Sequence, residues 1–370
     1  MMLLISGWLR RYCRKSRMRI NRDQVCISRA KDFRFFLNRG RGHMWAYLLN
    51  RLHWHTYPRL HFVSRFPVHL DIETSAVCNM RCPMCFTTTD DFKAKIDKGL
   101  MEFSLFKKAV DEASRYKAYS IRISHRGEPF VHPQAVDFIA YAKQKGIKEV
   151  ASLSNILALT PELFEKAMKA GLDWLTISFD GLGKTYEEIR KPAKFEESLA
   201  KVTAYKSIKE KARSDKPVIK IQSVWPAIKD YAREYIDLFS PFVDAISSNP
   251  LIDYLHNDNP EAIEYWDNFD CPTPYQRLTV LFNGQVPYCH NDEFNTFIVG
   301  DVLESSIYDI WNGSKMRRVR QAHAQHEGVE VLSACKHCFL PRKAEPVVEH
   351  FGGKRIVVEK YTGRSEEIGR

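Results

Sequence analysis

The sequence predicts an α/β fold built on a parallel sheet. Two observations carry this reading. Between Pro67 and about residue 250, six short runs rich in Val, Ile and aromatics alternate with amphipathic stretches, which is the pattern of repeated βα units. The chain has 370 residues, 44% of them hydrophobic and 12% aromatic, enough for a large buried core and unlike disordered or collagen-like compositions.

The elements follow in order. Strands are expected at 67–73, 119–124, 148–153, 174–179, 217–223 and 243–248, each bounded by polar residues or Gly/Pro. Helices are expected at 103–116, 133–145, 161–170, 184–211 with an interruption at Pro192, and 227–239. Ser104, Thr160 and Pro161 make suitable helix starts, and Gly146 and Gly171 suitable ends. The sheet is either doubly wound or curled toward a barrel, and in both cases chemistry belongs at the carboxyl ends of the strands. After residue 250 the pattern changes. A hairpin is expected over 276–289 with its turn at Asn283–Gly284, then a helix over 305–324. Residues 346–370 read as a polar, mobile tail apart from Ile356–Val358.

Charge is unevenly placed. The whole chain carries a net +11, and residues 1–66 hold fifteen Lys/Arg against two Asp/Glu, leaving the body near neutral. Aromatics interleave with the arginines there: Trp8, Phe33, Phe35, Phe36, Trp45, Tyr47, Trp54 and Tyr57. Such a segment suits nucleic acid, anionic lipid or a phosphorylated substrate. The plainer expectation is amphipathic helices that pack their aromatics on the core and leave the arginines in water. His53, His55 and His61 cluster just before the core, with packing preferred to a zinc site. Met1–Trp8 is too short for a membrane span, and no later apolar run reaches about eighteen residues. The expected location is the cytoplasm.

Nine cysteines in such a chain point to metal or redox chemistry rather than structural disulfides. Cys78, Cys82 and Cys85 read C-x3-C-x2-C in the loop after the first strand. Three thiolates from one loop can hold three irons of a [4Fe–4S] cube and leave the fourth open to a small molecule; three cysteines also serve zinc. Cys271, Cys289, Cys335 and Cys338 read C-x17-C-x45-C-x2-C, a set open to a closed [4Fe–4S] cluster or to structural zinc. Cys13 and Cys26 stand outside both groups and read as ordinary thiols.

The triplet, followed by Arg126-Gly127-Glu128-Pro129, Ser154-Asn155, and Ser178, Asp180 and Gly181 with Arg190 downstream, resembles the radical S-adenosylmethionine (radical SAM) superfamily. The resemblance covers about 67–250 and implies a partial (β/α)6 TIM-like barrel. It implies a catalytic [4Fe–4S] cluster on Cys78, Cys82 and Cys85, with S-adenosylmethionine chelating the open iron. Met84, Arg126, Gly127, Glu128, Asn155 and Ser178 fall at positions that contact the cofactor in the family, Glu128 toward its amino group. The sequence departs from the family pattern at Met84, where an aromatic is common, and at Arg126 and Ile156, where glycine is usual. The second cysteine group resembles the SPASM or shortened twitch module. No cysteine follows Cys338, so one auxiliary [4Fe–4S] cluster is implied.

The implied organisation is an N-terminal extension (1–66), a radical SAM core (67–250), an auxiliary-cluster domain (251–345) and a tail (346–370). The implied activity is cleavage of S-adenosylmethionine to a 5′-deoxyadenosyl radical, with oxidation or rearrangement of a small molecule of sugar, aminocyclitol or nucleotide type. A flavodoxin or ferredoxin would supply the electron. A peptide- or protein-modifying maturase is the alternative, and a zinc-stabilised nucleic-acid-binding protein the non-enzymatic one. His290, Asp292 and Glu293 follow Cys289 and are placed to face a substrate; no residue is singled out as catalytic base.

Overall fold

A computed structural model describes residues 24–25, 29–253, 258–351, 354–364 and 367–368. Met1–Trp8, Cys13 and Cys26 lie outside them. The first described pieces are strand β1 (Gln24–Val25) and helices α1 (Arg29–Gly40) and α2 (Met44–Arg59). Six parallel strands then follow: β2 (His69–Ile72), β3 (Ser120–Arg122), β4 (Glu149–Ser154), β5 (Trp174–Ser178), β6 (Val218–Val224) and β7 (Ala245–Asn249). Each lies within three residues of its expected position. Their residues are buried almost throughout, with Leu70, Ile72, Ile121, Val150, Leu175, Ile177, Ile219 and Ile221 fully inside, as a sheet covered by helices requires.

The helices between them are α3 (Asp90–Lys95), α4 (Phe103–Arg115), α5 (Ala135–Gln144), α6 (Pro161–Ala170), α7 (Gly183–Ile189), α8 (Phe195–Lys211) and α9 (Ala232–Phe239). Local signals set several ends. The Thr160 hydroxyl accepts from the Leu163 N–H at 3.2 Å, Pro161 fills the first turn, and Gly171 closes α6 at φ 101°. Helix α4 starts at Phe103, with no side-chain cap, rather than at Ser104.

A seventh strand completes the sheet from outside the expected core. Strand β8 (Arg277–Val280) lies parallel to β2 in the order β1-β7-β6-β5-β4-β3-β2-β8, with β1 antiparallel on the far edge. The turn at Asn283–Gly284 forms, Gly284 taking φ 93°, but it does not make a two-stranded hairpin. Strand β9 (Gln285–Pro287) turns away and pairs with β10 (Ile298–Asp301). The reason is burial: Leu278, Thr279 and Val280 are covered on both faces, which the sheet edge beside β2 provides and an isolated ribbon does not.

The expected helix over 305–324 is two helices, α10 (Ile307–Asn312) and α11 (Ser314–Ala324), broken at Gly313. Short helices α12 (Gly328–Val331) and α13 (Ser333–His337) lead to the last cysteine pair. The segment expected to be a tail instead forms β11 (Ala344–Phe351) and β12 (Lys354–Tyr361), paired antiparallel from Ala344–Tyr361 to Phe351–Lys354.

Candidate active site

The first cysteine group sits where strand β2 ends, on the carboxyl side of the sheet. Cys85 N–H donates to the Cys82 carbonyl at 3.0 Å, folding the loop back on itself. Burial pushes all three thiols up. Each sulfur nonetheless has a polar group aimed at it from another position. The Asn155 amide nitrogen stands 3.5 Å from Cys78 Sγ, the Arg190 guanidinium 3.7 Å from Cys82 Sγ and the Thr87 hydroxyl 3.1 Å from Cys85 Sγ. Polar groups directed at the three sulfurs fit thiolates that carry negative charge, as cluster ligands do.

Gly127 explains how the second motif reaches this loop. A Cβ there would lie 2.3 Å from the Ser75 carbonyl oxygen and 2.6 Å from that of Val77. The close approach lets Glu128 N–H donate to the Val77 carbonyl at 2.9 Å, pinning the backbone one residue before Cys78. Gly127→Ala should therefore lower stability by about 1–3 kcal/mol and reduce iron uptake on reconstitution. Unchanged urea midpoint and iron content would show that the approach is not needed.

Glu128 is buried and its carboxylate accepts from the Ser154 hydroxyl at 2.8 Å, the Asn155 N–H at 2.7 Å and the Phe130 N–H at 3.2 Å. Burial pushes it up to about 7, against these donors. It thus holds the end of β4, including the Asn155 side chain that reaches Cys78. Ile156, at the glycine position, keeps a glycine-like φ of 57° while fully buried, a strained setting for a β-branched residue. Ser178 ends β5 in register with Gln222, and Met84 packs into the main core. Asp180 accepts from Val224 N–H at 2.7 Å and pairs with Arg190, so one buried ion pair stands behind Cys82.

Arg126 has side-chain partners that the sequence did not show. Its guanidinium grips Glu73 in two bonds, Nε–Oε1 at 2.7 Å and Nη2–Oε2 at 2.8 Å. It also donates to the Glu293 carbonyl at 3.3 Å and the Asn295 side chain at 3.2 Å. Through these bonds Arg126 ties the end of β2 to the loop after Cys289. Glu73, unremarked in the sequence, is the missing half; its place directly after the first strand was the available signal.

The four later cysteines, up to 67 positions apart in sequence, line one small cavity. The Asn291 backbone and side chain donate to Cys289 Sγ at 3.4 Å and Cys338 Sγ at 3.3 Å. His323 Nε2 lies 3.8 Å from Cys335 Sγ, and burial pushes that imidazole down to about 4, keeping it neutral. Sequence reading missed both. Burial pushes Cys271 up to about 12 and raises the other three thiols as well. Four desolvated thiols facing one space match a site whose ligands are deprotonated by the group they hold.

The histidines before the core have other partners. His53 stacks on Tyr57, and His61 pairs with buried Asp270 while stacking on Tyr275.

Seven parallel strands with a thiol triplet at their carboxyl end, joined to a four-thiol module, define an iron–sulfur α/β-barrel protein. Residues 72–213 match the Radical SAM superfamily model and residues 271–339 that of SPASM, the iron–sulfur cluster-binding domain. The chain carries a radical SAM domain over residues 72–213 and a SPASM domain over residues 271–339. Radical SAM domains work with a [4Fe–4S] cluster and S-adenosylmethionine, and SPASM domains with auxiliary iron–sulfur centres. A curated relative, the tungsten-containing aldehyde ferredoxin oxidoreductase cofactor-modifying protein of Pyrococcus furiosus, is 24% identical over 67% of this chain and 81% of its own length. The AdoMet-dependent heme synthase of Methanosarcina barkeri is 30% identical over 35% of the chain and 36% of that protein. Among solved structures, BtrN in complex with AdoMet and 2-DOIA superposes with TM-score 0.51 at 18% identity, covering 74% of this chain and 92% of its own. SuiB of Streptococcus suis bound to S-adenosylmethionine gives 0.52 at 14%, covering 80% and 77%. Among the described residues no helix is long and apolar enough to cross a membrane.

Proposed function

We propose that Cys78, Cys82 and Cys85 hold the catalytic [4Fe–4S] cluster, that S-adenosylmethionine binds beside it, and that Cys271, Cys289, Cys335 and Cys338 hold one auxiliary [4Fe–4S] cluster. The observation that carries this reading is a cavity of about 220 Å³ walled from both sides. Helix α3, which follows the first group, contributes Asp91 and Lys95; the second group contributes Asn291 and Cys338.

When bound and reduced, the cluster and S-adenosylmethionine supply a carbon radical that abstracts an unactivated hydrogen. The chain's own residues do the rest. Gly127 and Glu128 hold the Cys78 loop, Asn155 and Arg190 direct hydrogen-bond donors at two of its sulfurs, and Asp180 keeps Arg190 in place. Glu293 lines the cavity, and the ring nitrogen Nε2 of neutral, buried His125 stands 4.0 Å from its Oε2. That carboxylate is the group placed to accept a proton from a substrate hydroxyl or amine.

A cavity of this size supports oxidation or rearrangement of a small molecule of sugar, aminocyclitol or nucleotide type, and the fold likeness to BtrN with 2-DOIA bound agrees. A peptide-modifying reaction draws its support from the likeness to SuiB, solved with its precursor peptide SuiA. A flavodoxin or ferredoxin would deliver the electron. The test is anaerobic reconstitution, then iron and sulfide analysis and dithionite-driven release of 5′-deoxyadenosine. About eight irons per chain with release are expected. Zinc without deoxyadenosine would overturn the reading.

A further inference from the structure

The hairpin of α1 and α2 has an inner and an outer face with different chemistry. On the inner face Arg39 makes a buried pair with Glu149, with bonds of 2.8 and 3.0 Å, and lies 3.9 Å from the Trp174 ring centre. The Asn50 amide donates to the Val68 carbonyl at 3.4 Å, and Gln276 donates to the Trp54 carbonyl at 2.7 Å. Glu149, Trp174, Val68 and Gln276 all stand at or just before the first residues of strands. The hairpin therefore closes the bottom of the barrel, opposite the cysteine loop.

Phe35, Phe36, Tyr47 and Trp54 pack inward as expected, and two aromatics, Phe33 and Trp45, do not. Trp45 is 84% exposed, Phe33 63%, Leu49 52%, Leu52 45% and Leu37 40%. The spacings 33/37 and 45/49/52 place them as one stripe on each helix. Exposed apolar residues are ordinary when scattered; five on one two-helix element form a patch that marks an interaction surface. From Phe33 to Phe66 the sequence holds six arginines and no Asp or Glu; Arg39 turns inward to Glu149 and Arg41 pairs with Asp215, while Arg34 is exposed beside Phe33, and residues 1–22 hold seven Lys/Arg and no acid.

We propose that this face docks the protein on an anionic lipid surface, with the barrel mouth turned toward water. Cations beside protruding Trp, Phe and Leu are the composition of an interfacial helix, whose apolar side chains enter the headgroup boundary while Lys and Arg meet acidic lipids. Nucleic acid would use the cations and stack on Trp45 and Phe33, but it has no use for three outward leucines. A second copy would set one basic face against another, since α1 and α2 carry a single acid, Asp32. The inference is independent of the reaction assigned above.

The test is flotation of the full chain with phosphatidylcholine vesicles, with and without phosphatidylglycerol. Binding is expected with the anionic vesicles and should weaken as salt rises well above about 0.1 M, where screening shortens the field. The triple variant Trp45→Ser, Leu49→Ser, Leu52→Ser alters only exposed positions and should keep its thermal midpoint while losing at least tenfold in partitioning. Arg34→Glu should weaken binding to anionic vesicles alone. Failure of the full chain to bind, or equal binding by the triple variant, would overturn the proposal. So would a dimer, seen by light scattering, that the triple variant dissolves.

Discussion

Arg126→Ala should lower the free energy of unfolding by about 3–5 kcal/mol, the cost of leaving a buried carboxylate without its partner. Glu73 is fully buried, and besides Arg126 its carboxylate accepts from the Phe282 N–H at 3.3 Å. Desolvation of that carboxylate, not the strength of the salt bridge, sets the magnitude. It follows that Arg126→Met with Glu73→Gln should cost less than the two single changes added together. The same guanidinium holds Glu293 and Asn295, so hydrogen exchange at 290–296 should accelerate in Arg126→Ala even under conditions where the variant is folded. A loss below about 1 kcal/mol, with unchanged exchange, would mean that the pair is accessible to water and does not join the two cysteine regions.

The second large effect separates the cysteine groups. Cys78→Ala should cut the iron of reconstituted protein from about eight to about four and abolish release of 5′-deoxyadenosine. Cys335→Ala should lose about the same amount of iron yet keep that release while failing to form product. Cys335 lies between Tyr288 and His323 in the second cavity, far in sequence from the first triplet. Its removal leaves the Asn155 and Arg190 contacts to Cys78 and Cys82 in place. Equal loss of release in both variants would assign the second group a structural role only.

How much of this was legible in advance depended on whether the partners are near in sequence. The six strands and their helices were readable because apolar periodicity and capping are local: Thr160, Pro161 and Gly171 act within a turn of where they stand. The first thiol triplet was equally legible, its members spanning eight positions in one loop. Strand β8 was misread because its pattern suits a hairpin, and the choice between a hairpin and the barrel edge depends on β2, some 200 residues earlier. The final hairpin β11–β12 was hidden by its charges, although Gly352–Gly353 between two apolar-bearing runs was a turn signal.

By itself, then, the sequence determined the ligand types, their loop spacing and the βα repeat, because ligand chemistry and secondary-structure period are properties of neighbouring residues. Only the tertiary structure decided that Arg126 pairs with Glu73 and that Arg190 backs Cys82. It also decided that four distant cysteines share one cavity and that the N-terminal hairpin shows Trp45 to solvent. Each of these depends on which groups lose their water together when distant strand ends meet. A buried charge or thiol is tolerable only beside the partner that the fold brings to it.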